Sequence, residues 1–412
     1  MILTDLRLHV FLGLALAALL LPVEAEAAPF LTFFSHRAGL LAFAACAGLC
    51  LREVGLVRGQ STFAAGIQCI SVFAVSCVAF GAVGLSLALS VDQPNAIWRG
   101  VIGLFGAPAG HLGFVRAIAL EVAVAAIASQ AISGALAERI RLLPLLIFTA
   151  LFAALVFPIA LSWQSGWLEK IGFVDYAGAT YVHCAAGAAA LAGVIVLGGR
   201  VGRFDPNHQL HSKEHHSFPL AGLGTLVVLV GWQGLVTGLL STLPIALTAG
   251  ALSHVLMCVN LSAAAGVIVS LIGAFIWHRG RVAAVGFNGL VAGLVAISAD
   301  PAHPTPVVAL AIGAVAGALA VLVPMLLEEM RLDDVTGAVP AHLCAGAWGT
   351  LAVLMSAPGA HLGTQLEGVL AVSAFTFITS FALFLVLQIL FGLRKHTERI
   401  PPPIASIASS AS

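Results

Sequence analysis

Long apolar runs, broken by short charged or Gly/Pro-rich stretches, fill nearly the whole chain. Most reach about 20 residues, the length that carries an α-helix across a bilayer core of about 30 Å, so the pattern predicts a bundle of transmembrane helices. Eleven spans are expected, near residues 31–51, 61–90, 113–137, 143–163, 175–198, 218–243, 248–277, 283–299, 306–328, 335–356 and 365–392. Ahead of them, Arg7 precedes an apolar run from Val10 to Leu21, and Ala25-Glu26-Ala27 has the small-residue character of a cleavage site. Residues 1–27 therefore read as a signal peptide, with an uncleaved extra helix, favoured by Asp5, as the rival reading. Residues 28–393 are expected to be the membrane domain and residues 394–412, which include Pro401-Pro402-Pro403, a short disordered tail.

Composition supports this reading: 60% of the 412 residues are hydrophobic and 9% charged, with a mean hydropathy of +1.07, outside the range of soluble domains. Lys+Arg and Asp+Glu each total 18, so net charge offers no argument for nucleic acid. The placement of the charges says more. An odd number of spans leaves the two ends on opposite sides. If the first span starts outside, Arg52, Arg58, Arg139, Arg141, Arg200, Arg203 and seven further cationic residues fall in cytoplasmic segments. Only Arg37, Arg99, Arg116 and Lys170 then fall on the other side, which satisfies the positive-inside rule. The expected location is a bacterial inner membrane, with the N-terminus outside and the C-terminus in the cytoplasm.

One spaced pattern, Asp-x-x-Gly-x4-His-x3-Gly, occurs twice: as Asp175, Gly178, His183, Gly187 and as Asp334, Gly337, His342, Gly346. In each copy the Asp suits a helix start, and the His eight residues on lies ~12 Å along the axis at ~1.5 Å per residue. Half a bilayer core is ~15 Å, so both histidines fall near the midplane. The first copy opens the fifth span and the second the tenth, so the two run antiparallel. That arrangement fits two five-helix halves of inverted topology plus one extra helix. Ionisable side chains at the midplane are costly and point to a conduction or proton path. A bare cation there must be paired, kept wet or stripped of its proton. Histidine, with a pKa of ~6.5 and one ring nitrogen to donate while the other accepts, suits the last option.

The stretch from Asp175-Tyr176-Ala177-Gly178 through His183 to Gly198-Gly199-Arg200 resembles the signature of the ammonium transporter family (Amt/Mep/Rh). Asp333-Asp334, His342, Gly346 and Gly349 resemble that family's second histidine helix. Gly134 to Arg139, Gly231-Trp232 and Gly289 to Val295 add matches in order. The resemblance implies a homotrimer of eleven-helix protomers with one pore each, no enzymatic activity and no cofactor. It further implies that ammonium is recruited at an outer vestibule and deprotonated there, and that His183 and His342 line an apolar lumen. Trp163, twelve residues before Asp175, takes the place of the family's vestibule tryptophan, whose indole face can attract a cation; an interfacial belt tryptophan is the other reading. Asp175 and Asp334 read as structural caps.

The entrance departs from the family pattern. Val124 and Leu235 stand where the two gate phenylalanines belong, and Leu120 and Leu239 replace a vestibule phenylalanine and serine. An aliphatic gate excludes water but offers no π face. Glu121, one turn outward of Val124, stands where a neutral Gln is usual; it serves recruitment or proton acceptance, or else pairs with Arg116 or with a polar group on a neighbouring helix. The short tail does not match the family's acidic one, which counts against control by a PII-type regulator. A neutral-gas (ammonia/carbon dioxide) channel and a poorly conducting ammonium sensor of the same fold are the alternatives. The seven cysteines lie inside apolar runs without metal-ligand spacing and read as packing residues. The loop bearing His208, His211, His215 and His216 reads as solvated, and His254 as a packing residue or helix contact.

Overall fold

In the computed structural model, residues 27–88, 112–204, 215–242, 248–277 and 282–395 are described, with side chains from 38 and from 119 in the first two segments. Apart from Ala27, the expected signal peptide lies outside these residues, as do His208, His211, the side chain of Arg116 and the tail beyond Lys395. Each of the eleven expected spans appears as a helix among the described residues. They are α1 (Ala27–Leu56), α2 (Gly59–Ala88), α3 (Leu112–Leu136), α4 (Leu142–Leu168), α5 (Ala179–Leu197), α6 (Phe218–Ser241), α7 (Ala249–Trp277), α8 (Val282–Ile297), α9 (Pro306–Glu329), α10 (Val339–Met355) and α11 (Leu362–Phe391). Lipid cannot satisfy a backbone N–H or C=O, so an apolar run that crosses it must close its hydrogen bonds within itself, and only the helix does so locally.

The packing is internally symmetric. Helices α1 and α6 pair with each other, as do α5 and α10, and the main contacts within the first five helices recur within the second five. Thus α1 on α3 matches α6 on α8, α2 on α3 matches α7 on α8, α2 on α4 matches α7 on α9, and α3 on α5 matches α8 on α10. Backbone bridges obey the same rule. The N–H of Tyr176, just after Asp175, donates to the carbonyl of Ala299 beyond α8, and the N–H of Val335, just after Asp334, donates to the carbonyl of Ala135 in α3. Helix α11 has no counterpart and packs along α5 and α4. The chain is thus an all-α polytopic membrane protein built as an inverted five-plus-five repeat plus one helix.

The Asp334 end of the bundle is tied by buried charge. The Arg200 guanidinium donates from Nε and Nη2 to the two Asp333 carboxylate oxygens at 2.8 and 3.0 Å, and from Nη1 to Glu138 Oε1 at 2.9 Å. Arg58 also pairs with Glu138, and Arg203 with Glu328 at 2.8 Å. Arg394 and Lys395, which the sequence assigned to the tail, are fastened to this end. Arg394 donates to the carbonyls of Leu197 and Gly199, and the Lys395 N–H to that of Arg139. These neighbouring carbonyls lie at helix ends, where a cation and an N–H find unsatisfied acceptors.

Candidate functional site

The doubled motif builds one site from two antiparallel halves. Asp175 accepts from the N–H groups of Gly178 (2.9 Å) and Thr180 (2.7 Å), and also from Ala179 and Tyr181. Asp334 accepts from Gly337 (2.9 Å) and Val339 (2.7 Å) in the same geometry. The glycine between Asp and His takes positive φ in both copies, 92° at Gly178 and 74° at Gly337. L-residues with a Cβ pay ~1–2 kcal/mol to adopt that conformation, so the motif uses glycine. Each helix then opens with a π-helical turn, Ala179–Cys184 and Val339–Cys344, that contains the histidine. A π turn takes an extra residue, which re-aims the side chains it carries.

The result is a contact at the centre. His183 Nδ1 lies 3.1 Å from His342 Nδ1, with ring centroids 5.1 Å apart. Both residues are buried. Because both contacting atoms are ring nitrogens, one must donate and the other accept, so the two neutral rings adopt opposite tautomers. The last motif glycine allows the approach: a Cβ on Gly187 would lie 2.8 Å from the Cα of Leu343, and one on Gly346 2.9 Å from the Sγ of Cys184. The Trp232 indole stacks on His183 at 4.8 Å and 16°. Its Nε1–H donates to Ser298 Oγ at 3.0 Å, which donates in turn to the Leu294 carbonyl. The indole is thereby fixed, and the histidine plane with it. His183 Nε2 has no partner among the described residues.

Val124 and Leu235 are fully buried in the core that holds Trp232, with Leu120 and Leu239 beside them. Glu121 Oε2 is buried and meets no partner among the described residues, and the carboxylate lies within electrostatic range of Tyr181, two residues before His183. The described ring contacts of Trp163 are Trp167 at 5.9 Å and Phe375 of α11 at 4.9 Å, so one side of the indole packs on α11. The backbone leaves helical geometry at Gly166, three residues on.

Two residues of the site escaped the sequence reading. Trp232 was visible only as part of a matching stretch. Arg52 was counted as a loop charge beyond the first span, but α1 continues to Leu56 and buries it. Its guanidinium reaches Asn288 of α8 and the carbonyl of Thr336 (2.7 Å) at the start of α10. The available signal was the helix-compatible run Arg52-Glu53-Val54, which has no turn residue before Gly55. His254 Nε2 meets the Pro304 carbonyl at 2.9 Å, and His215 Nδ1 the Leu56 carbonyl at 2.7 Å. No group of three or more His, Cys, Asp or Glu among the described residues is placed to hold a metal ion.

Fold and site together define a helical membrane protein of inverted-repeat topology with a paired-histidine centre. The chain belongs to the Ammonium Transporter Family, whose profile matches residues 32–412. It is 32% identical over 400 residues to an ammonium transporter of Archaeoglobus fulgidus, covering 87% of this chain and 83% of that protein. A putative ammonium transporter of Synechocystis is 38% identical over 283 residues, 67% of this chain and 63% of that one. Among solved structures, a Sensor Amt Protein superposes with a TM-score of 0.77 at 26% identity, covering 89% of this chain and 94% of that chain. Candida albicans Mep2 shares the fold, with a TM-score of 0.74 at 21% identity, covering 89% and 86%. Family membership places the chain among transporters and channels rather than enzymes.

Proposed function

We propose that the chain moves ammonium/ammonia across a bacterial inner membrane, as one pore per protomer of a homotrimer, with Asp175 at the outer end. Ammonium is recruited and deprotonated at an outer vestibule beside Glu121, and ammonia passes the aliphatic gate at Val124 and Leu235. It then crosses the His183–His342 pair, whose single shared N–H lets the rings donate to, accept from and exchange a proton across the narrowest part of the lumen. The 3.1 Å contact between two buried imidazoles supports this reading most directly. A buried titratable pair with one ring nitrogen unpartnered among the described residues is costly unless something polar passes it. Trp163 and Glu121 supply the attraction for the cation in this reading, the one through its indole face and the other through its charge.

The test is methylammonium uptake into liposomes. His183→Ala or His342→Ala should slow it about tenfold, the value of one hydrogen bond of ~1.4 kcal/mol to the permeating molecule. Wild-type uptake by both variants would sink the reading. Glu121→Gln removes the carboxylate charge and should raise the half-saturating ammonium concentration about threefold to tenfold, as expected for a partly screened attraction of ~1 kcal/mol. An unchanged concentration dependence would leave Glu121 a packing residue. A second reading, an ammonium receptor of the same fold, draws on the likeness to the Sensor Amt Protein; it requires binding with uptake no faster than in protein-free liposomes.

A further inference from the structure

We propose that Arg52 is a fixed cation set across the inner exit of the pore and that it makes transport electroneutral. Ammonia leaves past the guanidinium, while a proton or any monovalent cation that has reached the histidine pair is turned back. The proposal rests on the pore reading above and adds to it the fate of the charge.

The position follows from the helix that carries it. Because α1 runs on to Leu56, the Arg52 side chain enters the bundle and is only 3% exposed. It spans from α1 to α8 and α10, through Asn288 and the Thr336 carbonyl. Asn288 also lines a cavity at the Asp334 end, together with Asp333, Asp334, Val335, Gly337 and Pro340. Pro340 is two residues from His342, and the charge of Arg52 reaches that histidine. Through Asn288 of that lining, Arg52 links the cavity to the start of the helix that carries His342.

Arg52 is held by neutral acceptors, the Asn288 amide and the Thr336 carbonyl. The nearby carboxylates are Asp334 and Glu53. Asp334 is occupied by the N–H groups of Gly337 and Val339, and Glu53 accepts from Gln68 and Ser133. Neither forms an ion pair with Arg52 among the described residues. Asp334 and Glu53 offset part of this charge, yet a guanidinium held in a low-dielectric wall repels a second cation that touches it more strongly than it would in water.

Hydrogen bonding discriminates in the same direction. Arginine has donors and no acceptor, and Arg52 Nε lacks a partner among the described residues. Ammonia has a lone pair to accept from that N–H, whereas ammonium can only donate and finds no acceptor in the guanidinium. The proton released at the outer vestibule returns to the outer side.

The experiment compares two signals after an ammonium pulse to liposomes: internal alkalinisation, which counts ammonia, and displaced current, which counts charge. Wild type should move about one charge or fewer per ten ammonia molecules. Arg52→Gln keeps a hydrogen-bond donor without charge and should raise the ratio of current to alkalinisation about tenfold, whereas Arg52→Lys keeps it low. A ratio in Arg52→Gln within twofold of wild type overturns the proposal, and so does one charge per ammonia in wild type, a measurement that needs no variant to fold. The His183→Ala, His342→Ala double variant in the same liposomes keeps the two readings apart. If it alkalinises like wild type, the pore reading falls. If it does not, and the Arg52→Gln ratio is unchanged, only the role of Arg52 falls.

Discussion

Asp333→Ala is expected to destabilise the folded bundle by about 3–5 kcal/mol, the cost of leaving a buried cation without its partner. The carboxylate takes two guanidinium bonds and the backbone N–H of Arg200, and the Asp333 carbonyl accepts from Arg139. Its removal strands Arg200 on Glu138 alone, and Glu138 already serves Arg58. Burial pushes the Asp333 carboxyl upward, but the charges of Arg200 and Arg139 and the hydrogen bonds from Arg200 outweigh it and hold it below the usual carboxylate range. A carboxylate depressed in the folded state contributes stability that is complete above its unfolded value of ~3.9 and lost as pH falls through the lower folded one. Thermal unfolding in detergent should therefore separate wild type from Asp333→Ala at neutral pH, and the gap should narrow only below about pH 4. Equal melting at pH 7 would show that the pair merely breaks even against its desolvation.

The fold was legible because lipid leaves the chain so few choices. An apolar run of sufficient length must become a helix, and charge counting then orders the runs. The histidine pair was legible because the motif occurs twice in opposite directions, and two residues at equal depth in antiparallel helices meet. Features set by packing were not legible. The π-helical turns at Ala179–Cys184 and Val339–Cys344 contain residues that would fit an ordinary α turn equally well. Charge counting treats every arginine near a span end as solvated, so Arg52, Arg139 and Arg200 read as loop residues, although all three are buried. The distance of Trp163 from Asp175 in sequence said nothing about the break at Gly166 or about which neighbour its ring would find.

The cap at the other end of the motif carries the second large effect. Asp175→Ala removes a buried carboxylate that accepts from four consecutive N–H groups, Gly178 to Tyr181, at 2.7 to 3.2 Å. No water reaches this site readily, since Asp175 is 1% exposed and Thr180 fully buried. Each stranded N–H costs about 1–3 kcal/mol, and because relaxation of the turn recovers part of the sum, a net loss of about 3–5 kcal/mol is expected. The consequence extends to the histidine contact, because the same N–H groups open the π-helical turn that aims His183 at His342. Asp175→Asn keeps one acceptor oxygen and should fall between wild type and Ala in melting temperature. Asp334→Ala removes the matching bonds to Gly337 and Val339 and should cost less, since fewer N–H groups depend on it. Melting curves of the three variants in detergent, read beside uptake rates, decide the matter. If Asp175→Ala melts like wild type, the carboxylate does not hold the turn; if it melts low yet transports normally at permissive temperature, the cap stabilises α5 without setting the histidine contact.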